Sequence, residues 1–214
     1  MSISSRKFIA LEGIDGCGKS SVLKELAIRH PNIFTVENPA DGPHNKAIQN
    51  YLQAAWLHDE DLARLALLFG LNTMDLLEVV DGVRFMIGRT VICSRWNASA
   101  YAYHLGRTTF DIMSACIKAT AEPDLTIVLH VPIDVAMERI ESRGEPKTVF
   151  EKRERLIEVD ENYRGYWYWR EKSLNDGTRT VVRRHLECDR MTVAEQTDAV
   201  ERIIAEELSE PGGL

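Results

Sequence analysis

Short apolar runs alternate with longer amphipathic stretches along this chain. That alternation predicts an α/β protein with a parallel sheet covered by helices on both faces. The runs at 7–12, 90–93 and 125–131 are almost continuously hydrophobic, as strands buried on both sides are. A shorter β-like run, Phe34–Glu37, ends at Asn38-Pro39, and a fifth is expected at Arg179–Val182. Helical spacing is expected at 21–29, 44–57, 59–87, 96–105, 110–120, 133–143, 150–172 and 193–208. Within 59–87 the positions Leu62, Leu65, Leu68, Phe69, Met74, Leu76 and Leu77 recur near a period of 3.6. Asp59 is a start signal for that segment, which reads as one long helix or two. In such sheets ligands lie beyond the carboxyl ends of the strands. The places to inspect are therefore Glu12–Asp15, Glu37–Gly42, Ser94–Trp96, Val131–Pro132 and Cys188–Arg190.

The first of these strand ends carries the most specific signal. Gly13-Ile14-Asp15-Gly16-Cys17-Gly18-Lys19-Ser20 is a complete G-x-x-x-x-G-K-[ST], set between an apolar run and a helix-compatible stretch that begins at Ser21. Strand, glycine loop and helix in that order form a phosphate-binding loop. Its glycines let main-chain N–H groups turn inward, and the helix start adds unpaired N–H groups and a partial positive charge. On this reading Gly13, Asp15, Gly16, Cys17, Gly18, Lys19, Ser20 and Ser21 hold a triphosphate. Lys19 reaches the β and γ phosphates and Ser20 holds Mg²⁺.

Length and composition set bounds on this picture. The 214 residues suit one α/β domain, and a hydrophobic fraction of 44% is enough for a core. The four cysteines, Cys17, Cys93, Cys116 and Cys188, show no metal-type spacing and read as thiols of a reducing compartment. No run approaches the length of a membrane span and no signal segment is evident, so a soluble cytoplasmic protein is expected. The net charge of −7 argues against a protein that coats nucleic acid.

Four segments, in order, resemble the thymidylate kinase family within the nucleoside and nucleotide kinases. They are FIALEGIDGCGKSS (8–21), RTVICSRWNASAYAY (89–103), PDLTIVLHVPIDVAMERIESRG (123–144) and FEKRERLIEVDENYRGYW (150–167). The resemblance implies a P-loop NTPase fold, a three-layer α/β/α sandwich on a five-stranded parallel sheet. It also implies a single domain over 1–214 with a lid around 143–150, ATP and Mg²⁺ as cofactors, and a pocket for a nucleotide-like acceptor. By position, Arg95 bridges donor and acceptor, and Arg139 and Arg143 lie near the donor. Lys147 reaches the γ-phosphate when the lid closes. Asp15 lies near the acceptor sugar, Tyr103 packs against that sugar, Ser99 lines the acceptor site and Phe69 stacks on the base. Dimers formed through 59–87 are common in the family. Arg139 and Arg143 also fit as solvated helix positions, and Phe69 and Tyr103 fit as core. The aromatic cluster Tyr163, Tyr166, Trp167, Tyr168 and Trp169 reads as a packed helix end, a dimer contact or a surface for stacking bases.

Three departures from the family bear on the acceptor. Ser94 and Trp96 stand where the family has Asp and Tyr on either side of the arginine, which moves the organisation of the metal and its waters onto Glu12, Asp15 and Ser20. The turn Glu37-Asn38-Pro39-Ala40-Asp41-Gly42 has two acids and lacks the arginine that grips the acceptor phosphate. Asn72 and Thr73 stand where an arginine reads the thymine carbonyl. A monophosphate carries close to two negative charges and calls for a cation, which Lys46, Arg84 or Arg107 could supply. A hydroxyl acceptor calls for a general base, and Glu37 is the candidate. The expected activity is ATP-dependent phosphoryl transfer to a deoxynucleoside monophosphate, either dTMP or a modified pyrimidine analogue, with Lys19, Arg95, Asp15 and Glu37 as the catalytic set. One alternative is transfer to a hydroxyl of a deoxynucleoside or of a hydroxymethylated pyrimidine, with nucleic acid as a partner only in that case. Another is an ATP-binding regulatory protein without efficient transfer.

Overall fold

The computed structural model describes residues 6–53, 59–106, 110–173 and 182–208. Five strands form one parallel sheet in the order β2-β3-β1-β4-β5, with β1 at Phe8–Glu12, β2 at Phe34–Glu37, β3 at Val91–Ser94, β4 at Leu125–His130 and β5 at Val182–Glu187. β1, β3 and β4 are buried along their whole length. This is why they read as unbroken apolar runs in the sequence.

Among the described residues eight α-helices connect and cover the strands: α1 (Lys19–Arg29), α2 (Asn45–Gln53), α3 (Asp59–Asp81), α4 (Asn97–His104), α5 (Phe110–Lys118), α6 (Ile133–Ser142), α7 (Arg153–Ser173) and α8 (Val193–Leu208). α1 packs on α8, while α3, α4, α5 and α7 form a second packed set. Each side of the sheet thus buries a separate helical layer. Strand alternation keeps the layers apart. Phe8 and Ala10 of β1, and Phe34 and Val36 of β2, join Leu76, Val80 and Val83 at the α3 end, together with Trp96.

The long segment 59–87 is continuous but changes its winding. α3 runs to Asp81, and Gly82–Ile87 then forms a π-helical turn that ends at Gly88 with φ +79°. β5 continues past the expected end at Val182 to Glu187, through a VRRHLE sequence with few apolar residues; the expected positions 179–181 lie outside the described residues. Helix α7 starts at Arg153, after the expected Phe150.

Candidate functional site

The glycine loop lies between β1 and α1, as the motif requires. Two of its glycines are obligatory on steric grounds. Gly13 has φ +134°, and a Cβ there would lie 2.4 Å from the Leu129 carbonyl oxygen. Gly16 has φ +81°, and a Cβ there would lie 2.5 Å from the Ala136 carbonyl oxygen. The Lys19 ammonium is turned into the loop, where it donates to the carbonyls of Gly13 (2.9 Å) and Ile14 (2.8 Å) and lies 3.4 Å from Cys17 Sγ. Burial lowers its pKa, and the nearby Arg95 adds to that. Ser20 and Ser21 follow on the first turn of α1, with Ser20 half-buried and Ser21 exposed. Arg139 of α6 donates to the Gly16 carbonyl at 3.3 Å, so it borders the loop. Arg143 pairs with Glu151 at 3.3 Å across the 144–150 segment, and Lys147 pairs with Glu141 at 2.8 Å on the exposed side.

Next to the loop is a cavity of about 190 Å³. One wall is polar and holds Asp15 and Arg95. The others carry Phe69 from α3, Tyr103 and His104 from α4, and Phe150. Arg95 follows β3 with φ +69°, a conformation that a side-chain-bearing residue adopts at a cost. Its guanidinium is paired with Asp15 and lies 4.7 Å from the Tyr103 ring centroid. The Tyr103 hydroxyl donates to the other Asp15 oxygen at 2.9 Å. Burial alone would raise the Asp15 pKa, but Arg95 and then Lys19 outweigh it, and the carboxyl ends below its ordinary value. The result is a charged, fixed trio beside the phosphate loop. His104 is held neutral: burial, with Arg155 adding to it, pushes its pKa down to about 3.

The structure brings Asp15, Lys19, Phe69, Arg95, Ser99 and Tyr103 together at this site. Two other expected residues are placed elsewhere. Glu12 is closed to solvent, and both of its oxygens are occupied by protein donors. Oε1 accepts the N–H groups of Trp96 (2.8 Å) and Ser99 (3.2 Å). Oε2 accepts the Ser99 hydroxyl and the Tyr163 hydroxyl (3.1 Å). Glu12 is therefore an anchor for the start of α4, where a carboxylate is favoured by the unpaired N–H groups, and is not placed to hold a metal. Ser99 spends its hydroxyl on the same network.

Glu37 is likewise not placed to act as a base. Alternation puts Phe34 and Val36 on the α3 face, so Thr35 and Glu37 fall on the α1 face. There Glu37 is exposed, in a shallow depression with Leu23 and Lys24. Glu37→Gln is accordingly expected to change the transfer rate by less than about twofold, as surface substitutions away from a site do; steady-state kinetics would check this. The possible phosphate clamp Arg84 faces the opposite end of β1, where it meets the Arg6 carbonyl and Asp124. Arg107, and the side chains of Trp167, Tyr168 and Trp169, lie outside the described residues. Tyr163 and Tyr166 are core.

Sequence reasoning missed Asn38, His104 and Phe150 as cavity walls, while Thr73, expected near the acceptor base by its position, does line the cavity. For Asn38 a signal was present, since it shares the β2 face marked by apolar Phe34 and Val36. Among the described residues no group of three or more His, Cys, Asp or Glu side chains is arranged to hold a metal.

A parallel sheet with a glycine loop after its central strand, and a cation-bearing cleft beside that loop, defines a P-loop kinase. Comparison with known proteins narrows this class. The family described as thymidylate kinase matches residues 11–181. A probable thymidylate kinase of Methanococcus maripaludis is 33% identical over 159 residues, covering 73% of this chain and 75% of that one. The thymidylate kinase of Methylococcus capsulatus is 30% identical over 150 residues, covering 65% and 71%. The solved thymidylate kinase of Candida albicans shares the fold with a TM-score of 0.72 at 20% identity, covering 95% of this chain and 93% of that one. The chain belongs to the thymidylate kinase family and is a nucleotide kinase.

Proposed function

We propose that this protein transfers the γ-phosphoryl group of ATP to dTMP or a closely related pyrimidine deoxynucleoside monophosphate. The observation that carries this reading is the Asp15–Arg95–Tyr103 trio, which sets a cation between the Lys19 loop and an aromatic cavity. Transfer places negative charge between donor and acceptor, and a fixed guanidinium there lowers the barrier. Asp15 and Tyr103 hold that guanidinium before substrate arrives, so little reorganisation is needed.

Family membership supports ATP as the donor. A Mg²⁺ ion bound with ATP would neutralise phosphate charge, and Ser20 is the residue to hold it. The main-chain amides of the loop and Lys19 bind and orient the phosphates, and Arg139 borders them. The segment 143–150 serves as a lid on a single domain spanning 1–214. Its 144–147 stretch is exposed, and closure would exclude water from the reacting groups.

A hydroxyl acceptor would need a free base. Glu37 is on the other face of the sheet, Asp15 is paired with Arg95 and Tyr103, and Glu151 is engaged by Arg143 and the Thr148 N–H. A monophosphate acceptor, already nucleophilic, needs none. Exposed Leu67, Leu71, Phe85, Met86 and Ile87 along α3 and its π-turn support a homodimer through that face. No helix among the described residues is long and apolar enough to cross a membrane, and we assign the protein to the cytoplasm.

Single-turnover assays with labelled ATP test the reading. Label is expected in dTDP. Arg95→Ala should lower the transfer rate about 10²-fold or more while changing ATP affinity much less, because the guanidinium acts on the transition state. Failure of the wild-type protein to label any deoxynucleoside monophosphate would overturn the proposal.

A further inference from the structure

Asn38 is 7% exposed and lines the aromatic cavity, yet its Oδ1 has no hydrogen-bond partner. A buried amide oxygen left unpaired is costly, and such atoms are rare unless something binds there. The neighbours fix which amide atom is the free one. Thr73 Oγ1 lies 2.8 Å from the Phe69 carbonyl oxygen and 2.8 Å from the Asn38 amide. A carbonyl can only accept, so the Thr73 hydroxyl donates to Phe69. Its lone pair then accepts from Asn38 Nδ2, and Oδ1 is turned to the other side.

The backbone around Asn38 is also held. Its N–H donates to the Ser94 carbonyl at 2.9 Å, and Asn72 pairs with both the N–H (2.9 Å) and the carbonyl (3.0 Å) of Ala40 two residues on. The side chain is therefore a rigid amide in the lining of a cavity whose other walls include Phe69, Tyr103 and Phe150, and its oxygen is buried there without a partner. His104 Nδ1 is a second buried polar atom without a partner on the same aromatic wall.

We propose that Asn38, set by Thr73, reads the base of the acceptor by accepting a hydrogen bond from a ring donor of the pyrimidine. This inference rests on the pyrimidine acceptor of the preceding section and names the residue that recognises it. The adjacent acceptor and donor of the amide match the N3–H and carbonyl of a thymine-type ring. The same edge can meet the amino group and N3 of a cytosine-type ring, so the test compares the two.

Binding of dTMP, dCMP and N3-methyl-dTMP to the full chain is measured by calorimetry, alongside transfer from ATP. The wild-type protein is expected to bind N3-methyl-dTMP at least tenfold more weakly than dTMP. Asn38→Ala should bind the two within threefold of each other. Asn38→Asp presents acceptors only, so it should move the dTMP-to-dCMP affinity ratio at least tenfold toward dCMP. ATP affinity should stay unchanged in both variants.

If Asn38→Ala does not fold, Thr73→Val carries the test, since it frees the amide and should bring the dTMP-to-dCMP ratio at least threefold closer to one. A full N3-methyl penalty in Asn38→Ala, or an unmoved base ratio in Asn38→Asp or Thr73→Val, overturns the assignment of Asn38. If that happens while dTMP is phosphorylated, the kinase reading survives. The expected binding pattern without any transfer overturns the kinase reading and supports Asn38. No binding of either monophosphate overturns both.

Discussion

Lys19→Ala is expected to reduce phosphoryl transfer by about 10³-fold or more with only a small change in Tm. The ammonium is buried and held by the carbonyls of Gly13 and Ile14, 2.9 and 2.8 Å away. Those contacts keep a positive charge at the mouth of the loop before any nucleotide is present. Burial already costs the charge some stability, and the pKa is lowered for that reason, so removing it forfeits two hydrogen bonds but relieves a desolvated cation. The two effects nearly offset one another in the free protein. In the transition state nothing replaces the charge, because Arg95 is tied to Asp15 and Tyr103 and Arg139 meets the loop only at the Gly16 carbonyl. Lys19→Arg is expected to fail almost as badly. A planar fork cannot place one compact charge against two carbonyls and a phosphate at once. Single-turnover rates with thermal melts on the same samples check both variants. A Tm loss above about 8 °C, or transfer within tenfold of wild type, would contradict the role given to Lys19.

Much of the fold was legible because its central strands are buried on both faces and so carry long apolar runs. The phosphate loop was legible because its backbone can be made only by a particular spacing of glycines. What was hidden shares one physical origin: the sequence does not show which way a side chain turns at a strand end. Glu37 and Asn38 are adjacent, and the charged one looked like the functional one. The pleat sends Glu37 to the α1 face and Asn38 into the cavity. The apolar positions Phe34 and Val36 encode that choice, but only once the α3 side is known to hold the cleft. The continuation of β5 to Glu187 was missed for the related reason that an exposed edge strand has little apolar pattern to show. Phe150 and His104 become cavity walls only through contacts between separate elements, Phe69 with His104 and Tyr103 with Phe150, which no local spacing announces.

Glu12 shows the same limit in another form. An acid just before a phosphate loop suggests a metal ligand, and the structure gives it a different task. Its two oxygens collect the Trp96 and Ser99 N–H groups and the Ser99 and Tyr163 hydroxyls. One carboxylate therefore joins β1 to the start of α4 and to α7. The Tyr163 oxygen also lies 3.2 Å from the Gly13 carbonyl oxygen, so the network packs directly against the loop. Burial, with Glu12 adding to it, raises the Tyr163 pKa well above its ordinary value, which keeps the phenol a donor. Glu12→Ala leaves several buried donors without an acceptor. Each such loss costs about 1–3 kcal/mol, and partial relaxation brings the expected total to about 3 kcal/mol or more. For a domain of this size that is a Tm decrease of about 6–12 °C. Glu12→Gln keeps the shape but turns one acceptor into a donor facing other donors, so it is expected to destabilise nearly as much. A metal ligand would behave differently. Its replacement would leave Tm close to wild type and raise the Mg²⁺ concentration needed for half-maximal transfer. Thermal melts and a Mg²⁺ titration of Glu12→Gln, run below its Tm, separate the two. The expected result is a large drop in Tm with the Mg²⁺ requirement within twofold of wild type, and the reverse pattern would return Glu12 to the metal.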